Sequence, residues 1–218
     1  MRIAIVGSGN IGGGLGRLWT ARGYDVVYAA RDPASPKLSE LLEGGRARAA
    51  PVKEAAGMAD VVVLAVPWAA APDAIRAAGD LSGKVLVDCT NPVASGLAGL
   101  TLGHTTSAAE QVAEWAEGAR VVKAFNSIGA KNLAAPDFGG QRASVFICGD
   151  DIEAKHVVRK IAEDLGFDVV DTGPLAAARL LEPLGMLWIR LAYAQGFGPD
   201  IAFRLMRRGE AGPPPGLM

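Results

Sequence analysis

The sequence predicts an α/β protein with a doubly wound, mainly parallel sheet and a small C-terminal helical segment. Short apolar runs alternate with helical stretches along most of the 218 residues, the order expected of strands joined by crossover helices. The first run, Arg2 to Val6, leads through a glycine-rich turn into a helix and then a second apolar run, Asp25 to Ala30. That order is one βαβ unit. Hydrophobic residues make up 50% of the chain, enough to bury the core of one domain.

Later elements carry their own local signals. The unbroken apolar run from Val61 to Val66 is typical of a strand buried on both faces. Ser107 and Glu110 have the spacing of a capping box, which predicts a helix from Ala108. The predicted strands after the first two lie at 47–49, 60–66, 84–88, 120–124, 143–148 and 168–170. The predicted helices after the first lie at 52–58, 70–78, 108–115 and 151–165, the last ended by Gly166.

The turn after the first strand, Gly7-Ser8-Gly9-Asn10-Ile11-Gly12, has the spacing of a dinucleotide-binding fingerprint. Gly7 permits the tight turn, Gly9 lets a pyrophosphate approach the backbone, and Gly12 lets the helix pack closely on the strand. The first amides of that helix and its dipole then face the phosphates. Such a pattern alone is weak, but the strand before it and the helix after it supply the context that the motif requires.

The end of the second strand indicates which dinucleotide binds. An NAD enzyme usually has an acidic residue there, whereas this chain has Ala30 followed by Arg31. A guanidinium can bind the extra phosphate of NADP through two parallel hydrogen bonds, and Lys37, on a helix predicted to begin near Ser35, adds a second positive charge. The sequence therefore predicts NADP. The alternatives are that Arg31 pairs with Asp32 and that Lys37 is merely solvated.

Loops at the carboxyl ends of strands four, five and six are candidates for the nicotinamide side, because ligands of an open parallel sheet bind there. Asn91 and Asn126 can hydrogen-bond a carboxamide or ribose, although Asn91 before a proline also suits a simple turn. Trp68 suits either packing or stacking on a planar substrate, and His104 suits either a ligand contact or a loop role. The predicted cofactor-binding residues are Gly7, Ser8, Gly9, Asn10, Ile11, Gly12, Arg31, Lys37, Val66, Pro67, Asn91, Pro92, Ala124 and Asn126; the predicted substrate-pocket residues are Asn126, Trp68 and His104; no catalytic residue is assigned.

Composition excludes several classes of partner. The net charge of −1 gives no basis for binding nucleic acid or an anionic membrane surface. Cys89 and Cys148 lie in apolar runs, so we expect reduced core residues of a cytoplasmic protein. Two histidines without a cysteine cluster predict no metal site. The first apolar segment is a strand with a glycine turn rather than a signal peptide, and no stretch is long and apolar enough to predict a spanning helix.

We expect residues 1–172 to form the NADP-binding Rossmann domain, residues 173–210 the helical segment, and residues 211–218 a flexible tail. The helical segment has a wide apolar face that includes Leu184 and Trp188. Two interpretations of this face are open. It covers a sheet edge, or it forms a contact with a second copy that also closes the active site. We expect a homodimer.

The chain resembles the deazaflavin (coenzyme F420)-dependent NADP oxidoreductases and is identified as a bacterial member of that family. The resemblance covers nearly the whole length. One departure is Ala30, where the family often has Ser or Thr that adds a hydrogen bond to the phosphate. Besides the glycine fingerprint, the matching motifs are Arg31-Asp32, Ala65-Val66-Pro67-Trp68, Asp88-Cys89-Thr90-Asn91-Pro92, Lys123-Ala124-Phe125-Asn126-Ser127, Gly173-Pro174-Leu175 and Arg179-Leu180-Leu181-Glu182-Pro183-Leu184.

The resemblance implies direct hydride transfer between NADP(H) and a planar redox coenzyme, an 8-hydroxy-5-deazaflavin. The candidate loops are poor in acid/base groups, which favours ring-to-ring transfer, since a hydroxy-acid or imine reaction also needs a proton donor or acceptor. An NADPH-dependent flavin or ferric-flavin reductase is the first alternative. A non-enzymatic NADPH-sensing module is the second.

Overall fold

The computed structural model of the chain describes residues 1–208 and contains one sheet of eight strands. In chain order the strands are β1 (Arg2–Val6), β2 (Asp25–Ala30), β3 (Arg48–Pro51), β4 (Val61–Leu64), β5 (Val85–Asp88), β6 (Arg120–Lys123), β7 (Ser144–Gly149) and β8 (Asp168–Asp171). Their order across the sheet is β3-β2-β1-β4-β5-β6-β7-β8. Neighbouring strands are parallel except β6 and β7, which are antiparallel. The predicted doubly wound, mainly parallel sheet is confirmed.

Helices cover both faces of the sheet. They are α1 (Asn10–Ala21), α2 (Ser39–Leu42), α3 (Val52–Met58), α4 (Ala71–Ala78), α5 (Ala108–Trp115), α6 (Ile152–Glu163) and α7 (Ala178–Ile189). One buried core lies between the sheet and α1, α2 and α6, and the other lies between the sheet and α3, α4, α5 and α7. The strand order reverses between β1 and β4, which places the ligand crevice at the carboxyl ends of these two strands.

The predicted elements are all present, and their ends differ from the predictions by a few residues. β4 is fully buried along its length, as its apolar run predicts. The capping box at the start of α5 is formed: the amide of Glu110 donates to Ser107 Oγ at 3.2 Å, and that hydroxyl donates to the Glu110 carboxylate at 2.6 Å. α6 begins at the capping residue Asp151, whose Oδ1 accepts from the amide of Ala154 at 2.7 Å.

In its described part, 173–208, the C-terminal segment contains one α-helix, α7, which continues into a π-helical turn at Arg190–Ala194. Its apolar residues face in two directions. Leu181 and Trp188 are buried, whereas Leu180 is 73% exposed and Leu187 is 46% exposed. The inner side of α7 therefore covers the domain. The outer side is exposed in the single chain, and the expected homodimer stays a prediction. The predicted flexible tail, 211–218, lies outside the described residues.

Both cysteines lie in the core. Cys89 and Cys148 are free and buried, and burial raises the pKa of the Cys148 thiol to about 12. A thiol with so high a pKa is a poor nucleophile at neutral pH, which agrees with the predicted core role. Within residues 1–208, every helix is too short or too polar to cross a membrane.

Because Tyr28 is buried, the stability of the fold is expected to fall at alkaline pH. Desolvation raises the pKa of Tyr28 from 10.0 to about 12. Between these values the unfolded chain loses the phenol proton while the folded chain keeps it, so stability is complete below pH 10.0 and falls as the pH rises toward 12. By about pH 11 the contribution lost is about 1 kcal/mol.

Urea unfolding at about pH 8 and about pH 11 measures this loss. Tyr28→Phe is the matched control, because it keeps the ring but cannot ionise. We expect the native protein to lose more stability than the variant across this interval. An equal loss in both proteins contradicts the assignment to Tyr28.

Candidate functional site

The glycine-rich loop between β1 and α1 is shaped by close backbone contacts. Gly7 has a φ of +109°, and a Cβ added there would overlap the carbonyl of Ala65. A Cβ added at Gly12 would overlap the carbonyl of Gly7. At Gly9, by contrast, an added Cβ would meet nothing within 4 Å. Gly7 and Gly12 are therefore required by the fold, whereas the surface above Gly9 is open to a ligand.

The N-terminus of α1 opens onto the same surface. Gly9 is its N-cap and provides no side-chain hydrogen bond, so the amides of the first turn are left without a capping group. α1 has 12 residues, long enough for the aligned peptide dipoles to favour a negative charge at this end. The loop and helix together fit the pyrophosphate of a dinucleotide.

A cleft of about 520 Å³ extends from this loop along the end of β2. Gly7, Ser8, Arg31 and Lys37 line it together with Pro67. Both cationic side chains are exposed, and within residues 1–208 neither forms an ion pair.

The alternative role for Arg31 is not seen in the structure. Asp32 Oδ1 accepts a hydrogen bond from the amide of Ala34 at 3.1 Å, inside its own turn. Arg31 and Lys37 therefore remain available to a phosphate at the β2 end of the cleft.

Asn91 and Asn126, from the loops after β5 and β6, lie side by side. The Asn126 amide donates to Asn91 Oδ1 at 3.1 Å and to the carbonyl of Leu181 in α7 at 2.7 Å. The Asn91 amide donates to the backbone carbonyl of Asn126 at 2.7 Å. Both hydrogens of the Asn126 amide are thus used. Its buried Oδ1 has no partner within residues 1–208, so this side chain can act only as an acceptor.

Phe125 has a backbone conformation that is rare for a bulky side chain. Its φ is +60° although it is buried, an arrangement that costs about 1–3 kcal/mol. The ring packs edge-on against Trp19 at 6.0 Å and Phe167 at 6.3 Å between centroids. This packing offsets the backbone strain and directs the chain so that Asn126 lies beneath α7.

Trp68 and His104 have surroundings of their own. Trp68 stacks on Trp115 of α5, with centroids 5.2 Å apart and planes inclined at 25°. His104 has a φ of +60° and lines a separate cavity of about 660 Å³ with Leu180 and Pro183 of α7. Of the two roles considered for Trp68, the structure shows packing.

A further cavity of about 480 Å³ lies on the outer side of α1. Asn10 and Arg17 of α1 line it, opposite Lys131, Trp188 and Tyr193. The two aromatic rings meet edge-on at 6.0 Å between centroids. Since Asn10 belongs to the fingerprint that borders the nucleotide cleft, the start of α1 lies between two cavities.

A buried ion cluster beneath the site was not predicted. Lys123 Nζ lies 2.8 Å from Asp88 Oδ2 and 2.9 Å from Glu182 Oε1, with all three side chains at most 1% exposed. The ammonium also donates to the carbonyl of Thr90 at 2.6 Å. Burial lowers the pKa of Lys123, but attraction to Asp88 and Glu182 and the hydrogen bonds to them outweigh burial, so the pKa stands above its ordinary value.

Part of this cluster had a sequence signal. A lysine in an apolar strand requires a buried partner, and Asp88 ends the neighbouring strand, where it is the register partner of Lys123. Glu182 had no such signal, because α7 brings it in from the end of the chain. Its carboxylate also accepts the amides of Ala108 and Ala109 at the start of α5, at 2.9 Å and 3.1 Å.

Comparisons with known proteins place these features in a family context. Residues 2–92 match the family described as NADP oxidoreductase, coenzyme F420-dependent. The F420-dependent NADP reductase of Methanothermobacter marburgensis is 33% identical over 208 residues, covering 88% of this chain and 92% of that protein. Metalloreductase STEAP3 of Rattus norvegicus is 36% identical over 188 residues, or 85% of this chain, but the match spans only 37% of that protein. A crystal structure of a candidate F420-dependent NADP-reductase from Arthrobacter sp. FB24 has a TM-score of 0.85 at 33% identity and covers 94% of this chain and 99% of that one.

Because the ion cluster is buried, two substitutions that each remove a positive charge are predicted to differ strongly in their effect on the unfolding free energy. Lys123→Met leaves Asp88 and Glu182 buried beside each other without a cation, which is expected to lower the unfolding free energy by about 3–5 kcal/mol. Arg179→Met is the matched control: it removes an ion pair between α7 and α5, Arg179 to Glu110 at 2.5 Å, which is partly exposed. Chemical unfolding of both variants measures the difference, and losses of equal size would contradict the importance of the buried cluster.

Proposed function

Because the chain belongs to the family of coenzyme F420-dependent NADP oxidoreductases, we propose that it transfers a hydride between NADP(H) and a planar redox coenzyme of the 8-hydroxy-5-deazaflavin class. The observation that carries this proposal is the presence of two cavities near the start of α1, one lined by Gly7 and Ser8 and the other by Asn10. One has the glycine loop and two cations that a dinucleotide phosphate requires. The other has two aromatic walls, which suit a flat ring.

The described residues fit NADP(H) at three points. The first-turn amides of α1 bind the pyrophosphate, and Arg31 and Lys37 bind the 2′-phosphate. At the other end, Asn126 Oδ1 is a buried acceptor without a partner, and the nicotinamide carboxamide offers the N–H donor that this oxygen lacks. Val66 and Pro67 line the cleft with Ser8; we propose that Asn91, Pro92 and the buried Ala124 support the nicotinamide half and that Ile11 lies beside the phosphates.

The role we infer for the protein itself is to orient the two reactants. When bound, NADP(H) would supply or accept the hydride. Asn91 and Asn126 are held by each other and by α7, so they present a fixed edge for alignment, and the proton that balances the hydride exchanges between the acceptor ring and solvent without a side-chain acid or base. Lys123 takes no part in proton transfer, because its ammonium is saturated by Asp88, Glu182 and the Thr90 carbonyl.

The helical segment, which we propose begins at residue 173, forms one wall of the second cavity. Trp188 and Tyr193 come from it, and Arg17 and Lys131 add positive charge opposite them. Lys131 is paired with Asp200 at 3.0 Å, whereas Arg17 forms no ion pair within residues 1–208. An acceptor with an acidic substituent suits this cavity better than a neutral one.

A flavin or ferric-flavin reductase is the second candidate. It is favoured by the 36% identity to a metalloreductase over 85% of this chain. The same nucleotide cleft would serve that reaction, so the two candidates differ only in the ring that enters the second cavity.

Arg31 is predicted to decide between NADPH and NADH. Loss of one charge-assisted hydrogen bond to the 2′-phosphate corresponds to about a tenfold to hundredfold weaker binding of NADPH in Arg31→Ala, with NADH little changed. Arg22→Ala, an exposed arginine outside the cleft, is the control. Calorimetric titration measures both cofactors, and equal affinities for NADPH and NADH in the native protein would contradict the prediction.

Turnover with different acceptors tests the proposed function. Purified protein and NADPH are mixed with a deazaflavin, FMN, FAD or small carbonyl compounds, and cofactor oxidation is followed by absorbance. We expect the deazaflavin to be the preferred acceptor. Preference for FMN or FAD favours the second candidate, and NADPH binding without turnover of any acceptor favours a sensor.

The same assay tests whether His104 transfers a proton. His104→Asn removes the imidazole while tolerating the left-handed backbone. Removal of a general acid or base slows turnover by about a hundredfold or more. We expect a smaller decrease in His104→Asn. His156→Asn, on the outer face of α6, is the control. A larger loss confined to the His104 variant would contradict direct ring-to-ring transfer.

A further inference from the structure

Glu182 is a charged residue on the inner face of α7, and its carboxylate joins three elements. One oxygen lies 2.9 Å from Lys123 Nζ, at the end of β6. The two oxygens accept the amides of Ala108 and Ala109, which begin α5. Because each contact is directional and the group is buried, the carboxylate determines the rotation and depth of α7 as well as its attachment.

α7 contacts the two asparagines of the proposed nicotinamide side through Leu181, the residue before Glu182. The Leu181 carbonyl accepts the Asn126 amide at 2.7 Å. One turn further along, Gly185 lies so close to the loops that an added Cβ would come within 2.8 Å of the Asn126 carbonyl and 2.9 Å of Asn91 Oδ1. A small displacement of α7 therefore moves both asparagines.

Apolar packing alone does not hold α7 in this position. Leu180 is 73% exposed and Leu187 is 46% exposed on its outer side. On the inner side, burial of Leu181 and Trp188 favours contact with the domain but is non-directional. The hydrogen bonds of Glu182 supply the missing geometric constraint.

We propose that Glu182 is a positioning residue, which holds α7 against Asn91 and Asn126 and thereby orders the nicotinamide half of the cofactor site. The inference rests on the proposed function, because it takes these asparagines to border the nicotinamide. The adenosine half of the site, formed by the glycine loop, Arg31 and Lys37, makes no contact with Glu182 and is independent of it.

Binding of two ligands to the full chain separates the two halves. NADPH occupies both halves, whereas adenosine 2′,5′-bisphosphate occupies only the adenosine half. In Glu182→Gln we expect the Kd for NADPH to rise at least about tenfold while the Kd for the bisphosphate changes by less than about twofold. A purely structural loss of stability would weaken both ligands together. Calorimetric titration of folded protein gives both constants without any electron acceptor.

Two further variants sharpen the test. Gly185→Ala displaces α7 from the asparagines without removing a charge, so it should produce the same split, and it decides the question if Glu182→Gln does not fold. Glu110→Gln weakens the other link between α5 and α7, the ion pair with Arg179, and should change neither constant.

The inference is overturned if Glu182→Gln binds NADPH as the native protein does, if both ligands weaken equally, or if Glu110→Gln gives the same split. With Glu182→Gln unfolded, absence of the split in Gly185→Ala also overturns it. Failure of the native protein to bind either ligand removes the proposed function and this inference with it. Native binding of both ligands with no split in the variants removes the inference alone.

Discussion

The buried positive charge of Lys123 is the constraint on which the surrounding elements depend, because β5, the loop after it and α7 must each place an oxygen beside the ammonium. A buried ammonium is unfavourable unless oxygens replace its water, and here Asp88, Glu182 and the Thr90 carbonyl do so. The cluster has one more negative than positive charge. Backbone amides donate to both carboxylates: the amide of Thr90 to Asp88 at 2.9 Å, and the first amides of α5 to Glu182. The polar contacts of this cluster thus link β5, β6, α5 and α7.

This linkage also holds the C-terminal segment against the paired asparagines. α7 packs on the domain with buried leucine and tryptophan side chains, but its orientation comes from Glu182 and from the Leu181 carbonyl that binds Asn126. Gly185 permits the close approach that those bonds demand. As a result the helix backbone contacts Asn126 directly. For the proposed hydride transfer, which needs alignment of two rings, such rigid support would be the main contribution of the fold.

The start of α1 organises the ligand side in a comparable way. Its glycine loop borders the nucleotide cleft, and its outer face borders the cavity walled by Trp188 and Tyr193. Phe125, held in a strained conformation by Trp19 and Phe167, directly precedes Asn126. The aromatic core on this face of the sheet therefore supports the loop after β6 that carries this asparagine.

The sequence by itself determined the elements and indicated which residues line the cleft at the end of β2. Apolar runs, the capping box and the glycine fingerprint act over a few residues, so their structural consequences can be predicted locally. Arg31 and Lys37 were predictable for the same reason, since both lie near the end of a recognisable strand. The roles of the fingerprint residues, Arg31 and Lys37 toward a ligand remain predictions.

Tertiary structure decided the rest. Trp68 had two suitable roles, and its stacking on Trp115 of α5 became visible only in the tertiary structure; a role toward a planar substrate stays a prediction. Lys123 was visible as a charge in an apolar strand, but its partner Glu182 depends on where α7 lies and how it is rotated. Asn126 has one free acceptor because Asn91 and α7 use its hydrogens. These contacts join residues far apart in the chain, and their geometry is set by packing of whole elements, which no local pattern encodes.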